Sequence, residues 1–309
     1  MNKYDILVAG EINPDLILSG DVIPEFGQVE KLVDSASLAI GSSSAIFACG
    51  AARLGLKVAF IGVCGDDVFG RFMLDEMQKR GVDISNVILR TDGQTGLSVI
   101  LSQPFDAAQG DRAILTHSGL MAELRASDIP DSLLSQACHL HVASYFLQTK
   151  LQPGLPVLFQ RALSLGLTTS LDTNYDPSEK WLGFDELLAV TNVFLPNATE
   201  AKSLTGVENV DEAAIRLGWK VELAAIKLGA EGALGVRQSQ KVRVPSIPAK
   251  VVDTVGAGDS FDAGFIYGYL QGWSLEKSLR LGVVCGGLST QKAGGTNGQP
   301  ALKEALEYL

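Results

Sequence analysis

The sequence contains few of the residues that build disulfide scaffolds or zinc sites. It has only four cysteines in 309 residues, and no two of them have the spacing of a paired or metal-binding motif. All four lie in apolar segments, which predicts buried free thiols rather than disulfides or a zinc site. They are Cys49, Cys64, Cys138 and Cys285.

Positive charge is also scarce. The chain has 25 Lys and Arg residues against 35 Asp and Glu residues, and its net charge of −10 argues against a nucleic acid or a membrane surface as partner. No apolar run is long enough to cross a membrane, and the run near the N-terminus is too short for the core of a signal peptide. These absences predict a cytoplasmic protein.

What the sequence does contain is the pattern of a large α/β enzyme. Short apolar runs alternate with helical patterns, which predicts a mostly parallel central sheet flanked by helices. Two β-rich segments interrupt this order and predict a small β-sheet lid over the site. The predicted core comprises residues 1–11, 38–92 and 118–309, with a single strand at residues 57–63. The predicted lid comprises residues 12–37 and 93–117, with a polar turn around residues 106–111.

The most informative stretch is KVVDTVGAGDSFDAGFIYGYLQG, residues 250–272. Its pattern predicts an extended run at Val251 and Val252, a turn of small residues, and then a helix. The glycines allow the main-chain amides of the turn to converge on an anion, toward which the positive end of the helix dipole also points. Asp259 would repel a bound phosphate, so we interpret it as the base for a hydroxyl that attacks the phosphate. The alternative is that Asp259 is a helix N-cap.

The string DTVGAGDSFDAGF resembles the signature of the ribokinase-like sugar kinases, also called the phosphofructokinase-B carbohydrate kinase family. The resemblance extends over essentially the whole chain. It implies that Asp259 is the catalytic base and that Gly256, Ala257 and Gly258 form the anion hole. A carboxylate beside a helix N-terminus is expected to stay ionised near neutral pH.

The same resemblance implies the cofactors and the assembly. It implies ATP and Mg²⁺, K⁺ near Asp253 and the carbonyl of Val255, and a homodimer formed through the lid. Near the end of the chain, Gly294 and Gly295 stand where the family has its last cation and nucleotide loop.

Residues near the N-terminus resemble the family's substrate-binding motifs. Asp15 lies just past the first strand, and its carboxylate is expected to accept hydrogen bonds from two neighbouring sugar hydroxyls. Two departures are informative: Ser42 stands where a second glycine is usual, and Ile46 stands where an Asn contacts substrate hydroxyls. The predicted substrate-binding residues are Asn13, Asp15, Gly41, Ser42, Ile46 and His117.

The sequence defines the identity of the acceptor substrate less well than it defines the catalytic residues. Ala143 or Ser144 stands where ribose-specific members carry a Glu, so strict ribokinase activity is not expected. The KLGAEGAL segment around Lys227 is common among fructokinase-like and 2-keto-3-deoxygluconate kinase-like members, and this hint does not fix the substrate.

A third group of residues resembles the family's nucleotide site. Asp172, Asn174, Asn197, Lys227, Gly229 and Gly232 are predicted to bind the nucleotide. Asn197 and Glu200 match the family's N-x-x-E motif, which implies that they hold Mg²⁺ through water molecules. The alternative is a helix start in which Asn197 is the cap and Glu200 is its capping-box partner.

The sequence therefore predicts an ATP-dependent sugar kinase that phosphorylates a hydroxyl of a fructose-like, sugar-acid-like or pentose-like compound. A nucleoside kinase of the same fold and a non-catalytic ligand-binding regulator are the alternatives.

His139 and His141 lie on one face of a strand and, without further ligand spacing, are predicted to be hydrogen-bonded within the sheet rather than to bind a metal.

Overall fold

The fold is built around one eight-stranded sheet. The computed structural model describes residues 2–103, 112–176, 178–181, 183–238 and 240–309, so the turn predicted around residues 106–111 lies outside the described residues. The strands are β1 (Tyr4–Ala9), β2 (Pro14–Ser19), β3 (Ser35–Ile40), β4 (Val58–Ile61), β5 (Val63–Gly65), β6 (Ile88–Arg90), β7 (Leu97–Ser102), β8 (Arg112–His117), β9 (Ala137–Val142), β10 (Thr168–Leu171), β11 (Val193–Phe194), β12 (Leu223–Lys227), β13 (Ala233–Arg237) and β14 (Gln240–Val244). The α-helices are α1 (Ser43–Arg53), α2 (Val68–Lys79), α3 (Asp131–Leu134), α4 (Leu155–Ser164), α5 (Asp185–Leu188), α6 (Ala198–Thr205), α7 (Val210–Gly218), α8 (Ala257–Leu270), α9 (Leu275–Ser289) and α10 (Leu302–Leu306).

The large sheet has the order β14-β13-β12-β11-β10-β9-β1-β4. Every pair from β12 to β4 is parallel, and β13 and β14 add an antiparallel hairpin at one edge. Side chains of β1 alternate between the faces, because Ile6 and Val8 enter one hydrophobic core while Leu7 and Ala9 enter the other. The predicted α/β fold with a mostly parallel central sheet is confirmed. Ligands bind such sheets at the carboxyl ends of the strands.

A separate four-stranded sheet has the order β3-β2-β7-β8. Strands β2 and β7 are parallel neighbours at its centre, and both outer pairs are antiparallel. Its strands come from the two β-rich segments of the sequence, so the predicted small sheet is present. The division of the chain into core and lid at the stated residues stays a prediction, although β3 continues to Ile40 and crosses the proposed boundary at residue 37.

Two strand predictions were wrong. Val251 and Val252 do not form a strand; the amides of Val252 and Asp253 instead donate to the carbonyl of Thr290 at the end of α9, 2.8 and 3.1 Å away. The predicted strand at residues 57–63 is divided at Gly62 into β4 and β5, because β4 pairs with β1 in the large sheet and β5 pairs with β6 outside it.

The four cysteines are free, but only three of them are buried. Cys138 is exposed near the amino end of β9, so its predicted burial was wrong. The two strand histidines lie deeper, where the imidazole of His139 hydrogen-bonds Thr168 and Ser170, each at 2.7 Å. His141 bonds Ser170 at 2.7 Å through Nδ1.

Among the described residues, none of the helices has the length and apolar character needed to span a membrane.

Candidate active site

The glycine-rich turn begins α8. Gly256 is the N-cap of the helix, with a φ of 71°, and a Cβ atom at this position would lie 2.7 Å from the Cα of Gly295. A side chain is therefore excluded by both the backbone conformation and the close approach of the neighbouring loop. Asp259 lies in the first turn of α8 rather than at its N-cap, so the capping interpretation of this residue was wrong.

Three carboxyl groups meet at this helix start. Oxygens of Asp172, Asp259 and Asp262 lie within 4.8 Å of one another, and all three side chains are buried. The ammonium group of Lys227 lies 2.9 Å from Asp172 and 3.1 Å from Asp262. Burial alone would lower the pKa of Lys227, but Asp172 and Asp262 raise it above its usual range. The ammonium group of Lys227 therefore stays protonated and supplies positive charge to this cluster.

The proposed base is less acidic than the sequence suggested. Burial, followed by the nearby carboxylate of Asp172, raises the pKa of Asp259 to about 8, while Lys227 and a hydrogen bond from Ser43 oppose this rise. The direction of this shift is opposite to the expectation that Asp259 stays ionised near neutral pH. The helix N-terminus does not compensate for the loss of water around the carboxylate.

The predicted acceptor residues lie at the carboxyl end of β1 and the start of β2. Asn13 donates a hydrogen bond to the hydroxyl of Ser98, at 3.3 Å, whereas its Oδ1 is buried and has no hydrogen-bond partner among the described residues. Asp15 is also buried, and burial raises its pKa to about 7. A Cβ atom at Gly41 would lie 2.3 Å from Oδ1 of Asp15, so the glycine backbone packs directly against this carboxylate.

The remaining predicted acceptor residues face different surroundings. The hydroxyl of Ser42 donates to the carbonyl of Glu11 and accepts from the amide of Ala45, so it caps α1. Ile46 is buried, and its Cγ2 would lie 3.0 Å from a Cβ atom at Gly256, which places it against the anion turn. His117 ends the edge strand β8, where its side chain is exposed.

Asn197 and Glu200 form the capping box at the start of α6. The amide of Glu200 donates to Oδ1 of Asn197, and the amide of Asn197 donates to Oε2 of Glu200, each at 2.9 Å. A parallel bridge also joins Asn197 to Lys227, so this helix start lies beside the carboxylate cluster. Burial and the charge of Asp172 raise the pKa of Glu200 to about 7. The capping alternative is thus present in the structure, and the magnesium role stays a prediction.

A cavity of about 430 Å³ adjoins the turn. Lys227, Ala257 and Gly258 line it at the turn, and the loop containing the predicted Gly229 and Gly232 also contributes to it. The rest of its lining is mainly apolar and includes Ile247, Ala249, Val251, Phe261 and Val283. A mainly apolar cavity that ends at a glycine-rich helix start has the character of a site for a planar base with an attached phosphate chain.

The loop after α9 also returns to the turn. Asp253 accepts hydrogen bonds from the amide of Val255 at 3.0 Å and from the amide of Gly294 at 2.8 Å. The buried side-chain amide of Gln299 donates to the carbonyl of Ile46 at 2.9 Å and to the hydroxyl of Ser260 at 3.1 Å. Asp253 and Gln299 therefore fasten this loop to both α1 and α8.

The sequence interpretation missed several members of the site. Asp262 and Glu11 are buried beside predicted residues, and Gln299 joins three segments, but none of them was selected. A sequence signal existed for Asp262, because it lies three residues after Asp259 and so shares the same face of the helix. No comparable local signal existed for Glu11 or Gln299.

Comparison with known proteins gives the family. Residues 3–302 match the pfkB family of carbohydrate kinases. The chain belongs to this family. It is therefore a phosphotransferase with an alcohol group as acceptor, as the sequence predicted.

Individual relatives of this PfkB family member have different names. An uncharacterized sugar kinase of Archaeoglobus fulgidus is 32% identical over 256 residues, which cover 81% of this chain and 98% of the relative. A ribokinase of Haemophilus influenzae is 29% identical over 315 residues, which cover 99% of both proteins. The crystal structure of an adenosine kinase from Sinorhizobium meliloti is similar with a TM-score of 0.85 and 27% identity, covering 99% of both chains.

Proposed function

We propose that the protein transfers the γ-phosphoryl group of ATP to a hydroxyl of a small carbohydrate. The observation that carries this proposal is the position of Asp259. It is buried in the first turn of α8, where Ile46 of α1 packs against Gly256 and the apolar cavity reaches Ala257 and Gly258. In this proposal the acceptor motif and the nucleotide cavity lie on either side of the helix start that carries Asp259.

Asp259 acts as the base in this proposal. Its carboxylate takes the proton of the acceptor hydroxyl, and the amides of Gly256, Ala257 and Gly258 stabilise the charge on the transferring phosphoryl group. In a loose transition state the proton leaves late, so positioning and electrostatic stabilisation contribute more than the strength of the base. Asn13 and Asp15 are proposed to bind acceptor hydroxyls, and the unpartnered Oδ1 of Asn13 is a suitable acceptor for one of them.

The nucleotide is proposed to occupy the apolar cavity, with its phosphates toward Lys227 and the turn. Mg²⁺, when bound with ATP, would neutralise phosphate charge. Oxygen-rich side chains suit this ion, and the buried carboxylate of Glu200 beside Asn197 and Asp172 fits that requirement.

K⁺ is proposed to lie near Asp253 and the carbonyl of Val255. Each carboxylate oxygen of Asp253 accepts one amide bond and keeps further lone pairs for a cation. The rate in K⁺ compared with the rate in choline at equal ionic strength tests this part. Equal rates in the two salts would contradict it.

A homodimer formed through the lid is also part of the proposal. The lid and its loops expose several large apolar side chains, namely Phe26, Leu32, Leu38, Ile114 and Leu115. Exposed apolar side chains on a small sheet are available for contact with a second copy of the chain. Sedimentation analysis should give a dimer for the wild type and a monomer for Leu115→Asp, whereas a monomeric wild type would contradict the proposal.

A nucleoside acceptor is the second candidate. It is favoured by the apolar Ile46, by Ala143 at the end of β9, and by the similarity to an adenosine kinase. The deciding experiment measures ADP release with ribose, fructose, 2-keto-3-deoxygluconate and adenosine. Turnover with a sugar supports the first candidate and turnover with adenosine alone supports the second, while no turnover with any acceptor would favour a non-catalytic regulator.

Asp259→Asn should abolish nearly all turnover while ATP binding is kept.

A further inference from the structure

Two polar residues from distant parts of the chain meet beside Asp259. Ser43 is the first residue of α1, and Asn174 follows the carboxyl end of β10. The side-chain amide nitrogen of Asn174 lies 2.6 Å from the hydroxyl oxygen of Ser43 and 2.9 Å from that of Ser144. The resemblance to sugar kinases selected Asn174 for the nucleotide phosphates, but its two N–H donors are already bonded to these hydroxyls.

The direction of these hydrogen bonds determines where the Ser43 proton points. An amide NH₂ group only donates, and a serine hydroxyl carries a single hydrogen. Because Asn174 donates to Ser43, the hydroxyl hydrogen of Ser43 is available for another acceptor. The Ser43 hydroxyl lies close enough to the carboxyl group of Asp259 to lower its pKa, so we assign this hydrogen to Asp259. The resulting chain runs from Asn174 through Ser43 to the proposed base.

The backbone holds Asn174 and its partner in place. Asn174 has a φ of 54° and Ser144 has a φ of 51°, which is the left-handed region that residues with side chains seldom adopt. Such conformations persist only where the surrounding structure enforces them, and they cluster at functional sites. Both residues follow strands of the large sheet, β10 and β9, which are parallel neighbours.

We propose that Asn174 positions the carboxylate of Asp259 by directing the Ser43 hydroxyl toward it. Ser43 then binds one carboxylate oxygen and leaves the other to receive the proton of the acceptor. Asn174 acts only through Ser43 and touches neither the acceptor nor the transferred phosphoryl group. This inference rests on the proposed function, in which Asp259 is the base.

A double-mutant cycle tests the proposal. We measure kcat and KM for Ser43→Ala, Asn174→Ala and the double variant with the acceptor that turns over in the panel. If no acceptor in the panel is phosphorylated, we measure the hydrolysis of ATP by water instead. Each single change should lower kcat by about tenfold to a hundredfold, the usual contribution of a hydrogen bond to a charged group, and should leave KM for ATP nearly unchanged. The double variant should lose no more than the worse single variant.

Matched variants separate positioning from structural damage. Ser43→Thr keeps the hydroxyl and should restore most of kcat. Asn174→Asp should be worse than Asn174→Ala, because a carboxylate accepts the Ser43 hydrogen and draws it away from Asp259. Ser274→Ala removes a serine from the start of another helix, α9, and should leave kcat unchanged.

Two results would overturn the inference. If the losses in the double variant multiply, the two residues act independently. If Asn174→Ala raises KM for ATP at constant kcat, the residue binds the nucleotide instead. Failure of the proposed function looks different, because in that case Asp259→Asn itself would keep its turnover.

Discussion

The ammonium group of Lys227 lies 3.1 Å from the carboxylate of Asp262, and the two side chains are 13% and 1% exposed. The same ammonium group lies 2.9 Å from Asp172. One buried cation therefore serves two buried carboxylates, and a third, Asp259, lies next to them. The balance of charge in this carboxylate cluster thus depends on Lys227.

Replacing Lys227 by Met should destabilise the protein strongly. It would leave Asp172 and Asp262 buried without a counter-charge, and loss of one partner of a buried ion pair costs about 3 to 5 kcal/mol. Urea denaturation at neutral pH measures the change in unfolding free energy. Lys227→Arg keeps the charge and is the matched control. An unchanged midpoint for the Met variant would show that the two carboxyl groups are protonated and need no cation.

The Lys227 cluster also shows what the sequence could and could not predict. The sequence motifs around Asp259 and Asn197 are each contained in one short segment, so the sequence alone was enough to select these residues. The pairing of Lys227 with Asp262 joins residues 35 positions apart in the chain, and its pairing with Asp172 joins residues 55 positions apart. Such contacts depend on the strand order, which local spacing does not encode.

Burial was the second property that the sequence left open. A carboxylate at a helix N-terminus is expected to be ionised, yet Asp259 is buried, and the charges of Asp172 and Glu11 also raise its pKa. The apolar run at Val251 and Val252 has the composition of a strand, but the amides of Val252 and Asp253 donate to the carbonyl of Thr290 instead. In both cases the tertiary surroundings outweigh the local preference.

The activity should rise with pH through the neutral range. Burial and Asp172 raise the pKa of Asp259 to about 8, and the base works only in its ionised form. Below that pKa the carboxyl group is protonated, so kcat/KM for the acceptor should fall by about tenfold per pH unit. Asp172→Asn removes the main neighbouring charge and should move the rise to lower pH. A profile that is flat from pH 6 to about 9 would contradict the raised pKa of Asp259, because a carboxylate that is fully ionised over this range gives no such rise.

A methyl group at Gly256 should be far more harmful than one at Gly258. Gly256 has a φ of 71°, and a Cβ atom there would lie 2.7 Å from the backbone of Gly295. At Gly258 the nearest atom to a Cβ would be Nζ of Lys227, 3.6 Å away, which is an ordinary contact. Gly256→Ala should therefore lower the unfolding free energy by about 1 to 3 kcal/mol, whereas Gly258→Ala should fold normally. Thermal unfolding of both variants measures this difference, and equal melting temperatures would contradict it.

Glu200→Gln should separate the capping role of this residue from its proposed magnesium role. Gln in the third helical position also closes a capping box, so the start of α6 should persist and the melting temperature should change little. The substitution removes the negative charge, so the Mg²⁺ concentration for half-maximal rate should rise by about tenfold or more, as is usual when a group that orients a metal is lost. The measurement is the initial rate at fixed ATP over a series of free Mg²⁺ concentrations.

Glu200→Ala is the matched comparison, because it removes both the cap and the charge. It should lower the unfolding free energy by about 1 kcal/mol, the usual contribution of a cap, and should also weaken the response to Mg²⁺. If Glu200→Gln keeps the wild-type response to Mg²⁺ and only Glu200→Ala impairs the protein, Glu200 serves the helix alone. In that case the carboxyl cluster of Asp172, Asp259 and Asp262 is the remaining group that could hold the ion.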